Sequence, residues 1–126
     1  MANAKTVLIV DDHPHIVRSL GFVIRRAGYR VLEARGGREA LGLIRKERPD
    51  LVFLDIMMPE LDGYEVCRTV KGDPDLAATY IIMLTARGQE SDHQRSIEVG
   101  ANDYMTKPFS PSRAVQRVEW AVGPPD

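Results

Sequence analysis

Hydrophobic positions along the chain follow two alternating patterns. Thr6 to Val10, Leu51 to Leu54 and Tyr80 to Leu84 are nearly unbroken apolar runs, as expected of strands covered on both faces. Tyr29 to Ala34 is more mixed, and the run around Tyr104-Met105 is short. Between these runs the spacing turns helical. Ile16, Leu20, Val23, Ile24 and Ala27 recur on one face before Gly28, which is placed as a stop. Ala40, Leu43 and Ile44 mark a weaker second helix. A third is expected from about Gly63 to Lys71, burying Val66, Cys67 and Val70. A polar fourth spans about Glu90 to Val99, and a fifth carries Ala114, Val115, Val118, Ala121 and Val122 on one face.

Five strand–helix units in succession predict an α/β domain with a parallel sheet and helices on both faces. The uniformly apolar first, third and fourth strands belong inside the sheet, and the mixed second and short fifth at its edges. Right-handed crossovers then favour a flavodoxin-like doubly wound (βα)5 arrangement with strand order 2-1-3-4-5. In that order the chain reverses direction between strands 1 and 3, and ligands bind outside the carboxyl ends of the strands there.

Composition narrows the class without changing the picture. The 126 residues suit one domain, and 44% apolar with 28% charged residues is a globular balance. A net charge of -1 gives no field to attract nucleic acid or an anionic membrane. Cys67 is the only cysteine, which excludes an internal disulfide and fits a reducing cytoplasm. The first apolar run is too short for a signal peptide or a membrane span. Residues 1–122 are read as the domain. Gly123-Pro124-Pro125-Asp126 is read as a flexible tail, the end of a stand-alone domain or the point where a longer parent was cut.

The strand ends carry the chemistry. Strand 1 runs into Asp11-Asp12, strand 3 into Asp55, strand 4 into Thr85-Ala86 and strand 5 into Lys107-Pro108. Three neighbouring carboxylates repel one another where water is partly excluded, so they call for a cation. Oxygen ligands beside an open crevice suit Mg²⁺. With Mg²⁺ and Lys107 the three Asp residues make a nearly neutral site. A phosphoryl group on Asp55 would leave about one excess negative charge, which Thr85 and backbone amides can meet with hydrogen bonds.

These residues sit in five motifs: Val10-Asp11-Asp12, Leu54-Asp55 through Asp62-Gly63, Leu84-Thr85-Ala86, Gly100-Ala101-Asn102-Asp103-Tyr104 and Lys107-Pro108-Phe109. In this order and spacing the chain resembles the receiver domain of two-component response regulators, of the chemotaxis-regulator kind, from about Thr6 to Val122. The resemblance implies that Asp55 is the phosphoacceptor and that Asp11, Asp12, Asp55 and the backbone carbonyl of Met57 hold Mg²⁺. It makes Thr85 the contact of the phosphoryl oxygen, Lys107 its ion-pair partner and Tyr104 the aromatic that follows Thr85, with the Lys107-Pro108 peptide usually cis. The implied partners are a sensor histidine kinase or a histidine phosphotransfer protein. Output runs through the face of helix 4, strand 5 and helix 5 to a downstream protein or effector domain, with phosphorylation-dependent homodimerisation as a further option. Neither nucleic acid nor membrane is contacted directly. The domain would catalyse only its own phosphorylation and dephosphorylation. Leu61 and Asn102 depart from the usual pattern away from the chemistry. Met57 and Arg87 border the path of the attacking water, and neither offers a carboxylate or amide to orient it, so slow self-dephosphorylation is expected.

Plainer readings compete at several positions. Asp12, ahead of Pro14, can cap the first helix. His13 and His15 diverge around Pro14 and are read as exposed bystanders rather than metal ligands. Asp62-Gly63 opens the third helix, Cys67 packs in the core, and Tyr104 can be a half-buried edge aromatic. Trp120 falls off the apolar stripe and either covers a neighbour or serves a partner surface. A Mg²⁺-dependent aspartyl-phosphate phosphohydrolase is the alternative function. It needs a second Asp two residues after the nucleophile, where Met57 stands, and a cap for which the chain has no room. A flavin carrier of the same topology would need a phosphate cradle where Asp11-Asp12 would repel the phosphate.

Overall fold

The computed structural model describes residues 4–58, 60–86 and 90–126. Five strands, β1 (Thr6–Val10), β2 (Arg30–Ala34), β3 (Leu51–Asp55), β4 (Tyr80–Ala86) and β5 (Asp103–Lys107), alternate with five helices. These are α1 (Pro14–Arg26), α2 (Gly37–Glu47), α3 (Gly63–Lys71), α4 (Glu90–Glu98) and α5 (Pro111–Val122). All pairings are parallel and the strand order is β2-β1-β3-β4-β5, as the hydrophobic pattern predicts.

Strand periodicity explains the layers, because successive side chains leave a strand on opposite faces. Leu8, Val10, Val52, Leu54, Ile81 and Met83 join one core with α2 and α3. Their alternates Val7, Ile9, Leu51, Phe53, Ile82 and Leu84 join a second with α1 and α5. The fully buried helical positions follow the expected stripes, with shifts in α1 and α2. In α1 Val17 is buried, whereas Ile16 and Val23 are half-buried. In α2 Leu41 is buried beside Ala40 and Ile44, whereas Leu43 lies at the half-buried margin. Cys67 is buried, and Trp120 is 79% exposed.

Local signals set the ends. Asp62 caps α3 by accepting a hydrogen bond from the Glu65 N–H, and Ser110 caps α5 from Arg113. The N-cap of α1 is His13 and not Asp12, and its side chain makes no cap bond. The segment 123–126, read from sequence as a flexible tail, returns to the domain. Tyr29 Oη donates to the Gly123 carbonyl at 2.7 Å, and the Lys5 N–H donates to Pro125 O at 2.7 Å. Among the described residues no helix is long and apolar enough to cross a membrane.

Candidate functional site

Register brings the predicted residues together. Val10 pairs with Leu54, Asp55 with Leu84, and Ala86 with Lys107, so β1, β3, β4 and β5 end at one edge. Asp11, Asp55 and Lys107 meet there, and a cleft of about 600 Å³ opens beside them, also lined by Thr85, Met57 and Phe109.

Lys107 Nζ donates to Asp11 Oδ2 at 2.8 Å and to Asp55 Oδ1 at 3.2 Å. Asp11 is fully buried and Asp55 is 3% exposed, whereas the Asp12 side chain is 38% exposed. The backbone around Asp55 is tightly set. Gly63 donates its N–H to Ile56 O at 3.0 Å, and a Cβ on Gly63 would fall 2.3 Å from the Asp55 carbonyl oxygen. Position 63 therefore holds the Asp55 backbone as well as opening α3.

Burial and charge act differently on the two buried carboxylates. Burial raises the Asp55 pKa first and the Asp11 charge raises it further; Lys107 offsets this only partly, and it settles at about 6. Burial also works against ionised Asp11, but hydrogen bonds from Lys107 and from His13 outweigh it and hold its pKa below the ordinary value. Burial opposes the Lys107 charge, yet its bonds to Asp11 and Asp55 raise its pKa. Asp11 is thus the fixed anion of the pair and Asp55 the carboxylate left under strain.

Two observations show that the donor set fits a hard divalent cation. Among the described residues Asp55 Oδ2 is buried without a hydrogen-bond partner, a costly state for a carboxylate oxygen. Asp11, Asp12, His13 and Asp55 each offer a ligand atom, and all these atoms lie within 4.8 Å of one another. Three carboxylates, one of them open to solvent, suit Mg²⁺, which keeps several waters.

The bystander reading of His13 is corrected by this geometry. Its Nδ1 lies 2.9 Å from Asp11 Oδ1 and 3.3 Å from Asp12 Oδ1, and its N–H donates to Asp11 Oδ1 at 3.0 Å. His15 meets only the edge of the His13 ring, with centroids 5.8 Å apart. His13 is the extended N-cap of α1, and both its N–H and its ring turn back to Asp11. An acidic pair followed by His was the signal in the sequence, but its backbone path was not.

The remaining predicted residues divide. Thr85 is 1% exposed and donates its hydroxyl to Met105 O at 3.4 Å. Met57 borders the cleft with its side chain 76% exposed. Tyr104 lies outside the cleft, half-buried and stacked on His93 of α4 with ring centroids 4.1 Å apart. The Lys107-Pro108 peptide is cis. Arg87 lies outside the described residues.

Residues 7–119 match the family described as response regulator receiver domain. The chain is 45% identical over 115 residues to the alkaline phosphatase synthesis transcriptional regulatory protein PhoP of Bacillus subtilis, covering 91% of this chain and 47% of that protein. It thus spans about half the length of the curated relatives it matches. Among solved structures, the chemotaxis response regulator CheY4 of Vibrio cholerae superposes with a TM-score of 0.88 at 32% identity, over 95% of this chain and 100% of that one. The signal receiver domain of a signal transduction histidine kinase from Syntrophus aciditrophicus gives 0.88 at 39% identity, over 94% and 90%.

Proposed function

The chain belongs to the response regulator receiver domain family, and from that membership we propose that it is a phosphorylation-dependent signalling switch with Asp55 as phosphoacceptor. The observation that carries this reading is the buried Asp55 Oδ2, without a hydrogen-bond partner among the described residues, on a side chain that lines the cleft. A carboxylate oxygen that is desolvated, repelled by Asp11 and not engaged by Lys107 is available as a nucleophile. It attacks the phosphorus of a phosphohistidine on a sensor histidine kinase or a histidine phosphotransfer protein. A P–O bond forms, the P–N bond breaks, and the imidazole leaves with a proton.

Asp11, Asp12, Asp55 and the Met57 carbonyl would hold Mg²⁺. The ion would supply positive charge against the carboxylates and the incoming phosphoryl oxygens. Lys107 already bridges Asp11 and Asp55 and stays within reach of a phosphoryl group on Asp55. Thr85, on a long bond to Met105 O, exchanges that acceptor for a more highly charged phosphoryl oxygen. Tyr104, one residue before Met105, follows it. Output passes through the face of α4, β5 and α5 to a protein partner or an effector domain, or to a second copy of the chain. The domain works in the cytoplasm and turns over no separate substrate.

The test is incubation with acetyl phosphate and Mg²⁺, followed by mass spectrometry. One phosphoryl group is expected, stable to acid, labile to base and absent from Asp55→Asn. Absence of any modification of the wild type under these conditions overturns the reading.

A further inference from the structure

His13 is held against the Asp11–Asp55 site by its backbone as well as by its ring. A residue that precedes proline is confined to extended backbone, and His13, before Pro14, has φ -91° and ψ 109°. Its N–H donates to Asp11 Oδ1 at 3.0 Å, so only side-chain torsions are left to place the ring. The ring turns toward the carboxylates, with Nδ1 2.9 Å from Asp11 Oδ1 and 3.3 Å from Asp12 Oδ1. Two ligands about 2.1 Å from one dication stand about 3.0 Å apart at a right angle and about 3.4 Å apart at the tetrahedral angle. The two nitrogen–oxygen separations match those edges to within about 0.1 Å. His13 also lines the cleft beside Asp55, with its side chain 53% exposed, so the ring is within reach of an ion arriving from solvent.

A second, independent feature points to an ion at the same place. Among the described residues Asp55 Oδ2 is buried without a hydrogen-bond partner, on a side chain 5% exposed that lines the cleft. Asp11, Asp12, Asp55 and the His13 ring bring their donor atoms within 4.8 Å of one another. We propose that His13 is a metal ligand through Nδ1, and that it turns an all-oxygen magnesium site into a mixed nitrogen–oxygen site that prefers borderline transition dications, Zn²⁺ and Co²⁺, to Mg²⁺. The proposal rests on the reading of Asp11, Asp12 and Asp55 as the metal site. Mg²⁺ takes oxygen donors and keeps its waters, so it gains little from the ring. Imidazole suits zinc and the later first-row metals, with the Nδ1 lone pair toward the ion and the ring proton on Nε2. His15 is the contrast within the same stretch. It lines the cleft too, but it stands outside the four-donor cluster and meets only the edge of the His13 ring.

Titrations of the full chain with Zn²⁺ and with Mg²⁺, followed by nuclear magnetic resonance at the Asp11, Asp12 and Asp55 amides, give both affinities. Loss of a group that only supports a metal ligand typically costs about 10–100-fold in affinity, and loss of the ligand itself should cost no less. His13→Ala is therefore expected to weaken Zn²⁺ binding about tenfold or more while Mg²⁺ binding stays within about twofold of the wild type. His15→Ala should match the wild type for both ions. With Co²⁺ the His13 ring resonances should show large paramagnetic shifts that are absent from His13→Ala and kept in His15→Ala. Unchanged Zn²⁺ affinity in His13→Ala overturns the proposal. So does an equal loss of Zn²⁺ and Mg²⁺ affinity, because His13 would then only order Asp11 and Asp12 through hydrogen bonds. A wild type whose aspartate amides respond to neither ion overturns the magnesium reading of the site itself, and the proposal falls with it.

Discussion

Replacing Asp55 by Asn tests the electrostatics of the site with little change in packing. The Asp55 carboxyl, ordinarily near 3.8, is raised to about 6 by burial and by the Asp11 charge. A shift of that size means that the ionised form costs the fold about 3 kcal/mol at neutral pH. The side chain is 5% exposed, so solvent does little to screen this cost. Asn removes the cost and keeps an oxygen to accept from Lys107, whose attraction for the ionised carboxylate is already contained in that balance. The variant is favoured by up to about 3 kcal/mol in the metal-free protein, or by up to about 10 °C in melting temperature. Because the folded pKa lies above the unfolded one, wild-type stability falls as pH rises from about 4 to about 6. The advantage of Asp55→Asn is therefore full above that interval and vanishes below it. Asp11, whose pKa is lowered, contributes stability that is lost as pH falls, and to first order this term cancels between the two proteins. Thermal melts by circular dichroism in EDTA, at several pH values, measure the difference. A variant that melts below the wild type at about pH 7.5, or a gap that is the same at both ends of the interval, refutes the reasoning.

Lys107→Ala leaves Asp11 and Asp55 facing each other without their shared ammonium. Melting in EDTA should show a loss of about 3 kcal/mol, the low end for a buried pair because Lys107 is 21% exposed, partly restored by Mg²⁺; an unchanged melting temperature in EDTA counts against the ion pairs. Met57→Asn places an amide at the cleft border, where Met57 now exposes an inert side chain. The half-life of phosphorylated protein, followed by mass spectrometry after acetyl phosphate is removed, should shorten severalfold, and an unaltered half-life excludes Met57 as a determinant of signal lifetime.

Strand order and the residues of the site were legible in the linear chain because short-range rules govern them. Leu51 to Leu54 has no polar alternate, so it can only be a strand covered on both faces, as it is. Asp11, Asp55, Thr85 and Lys107 each follow or close an apolar run, and parallel pairing carries strand ends to one edge whatever the intervening helices contain. Other features depend on where distant side chains meet, which no local period encodes. His13 reaches both Asp11 and Asp12, although alternation along an extended chain would bring it to the side of Asp11 alone. Tyr64 and Asp92 are 28 residues apart and share a hydrogen bond only because α3 and α4 pack on the same face of the sheet. Residues 123–126 read as a flexible tail by composition, yet Tyr29 and Lys5 hydrogen-bond the Gly123 and Pro125 carbonyls.

The sequence by itself determined the sheet, its layers and the set of charged groups at its edge, since burial periodicity and residue chemistry act at each position independently. Tertiary structure alone decided how those charges are shared. Lys107 engages both buried aspartates while Asp55 keeps one oxygen without a partner. That inequality raises one carboxyl and lowers the other, because the balance of desolvation against pairing depends on distances that only the folded chain supplies.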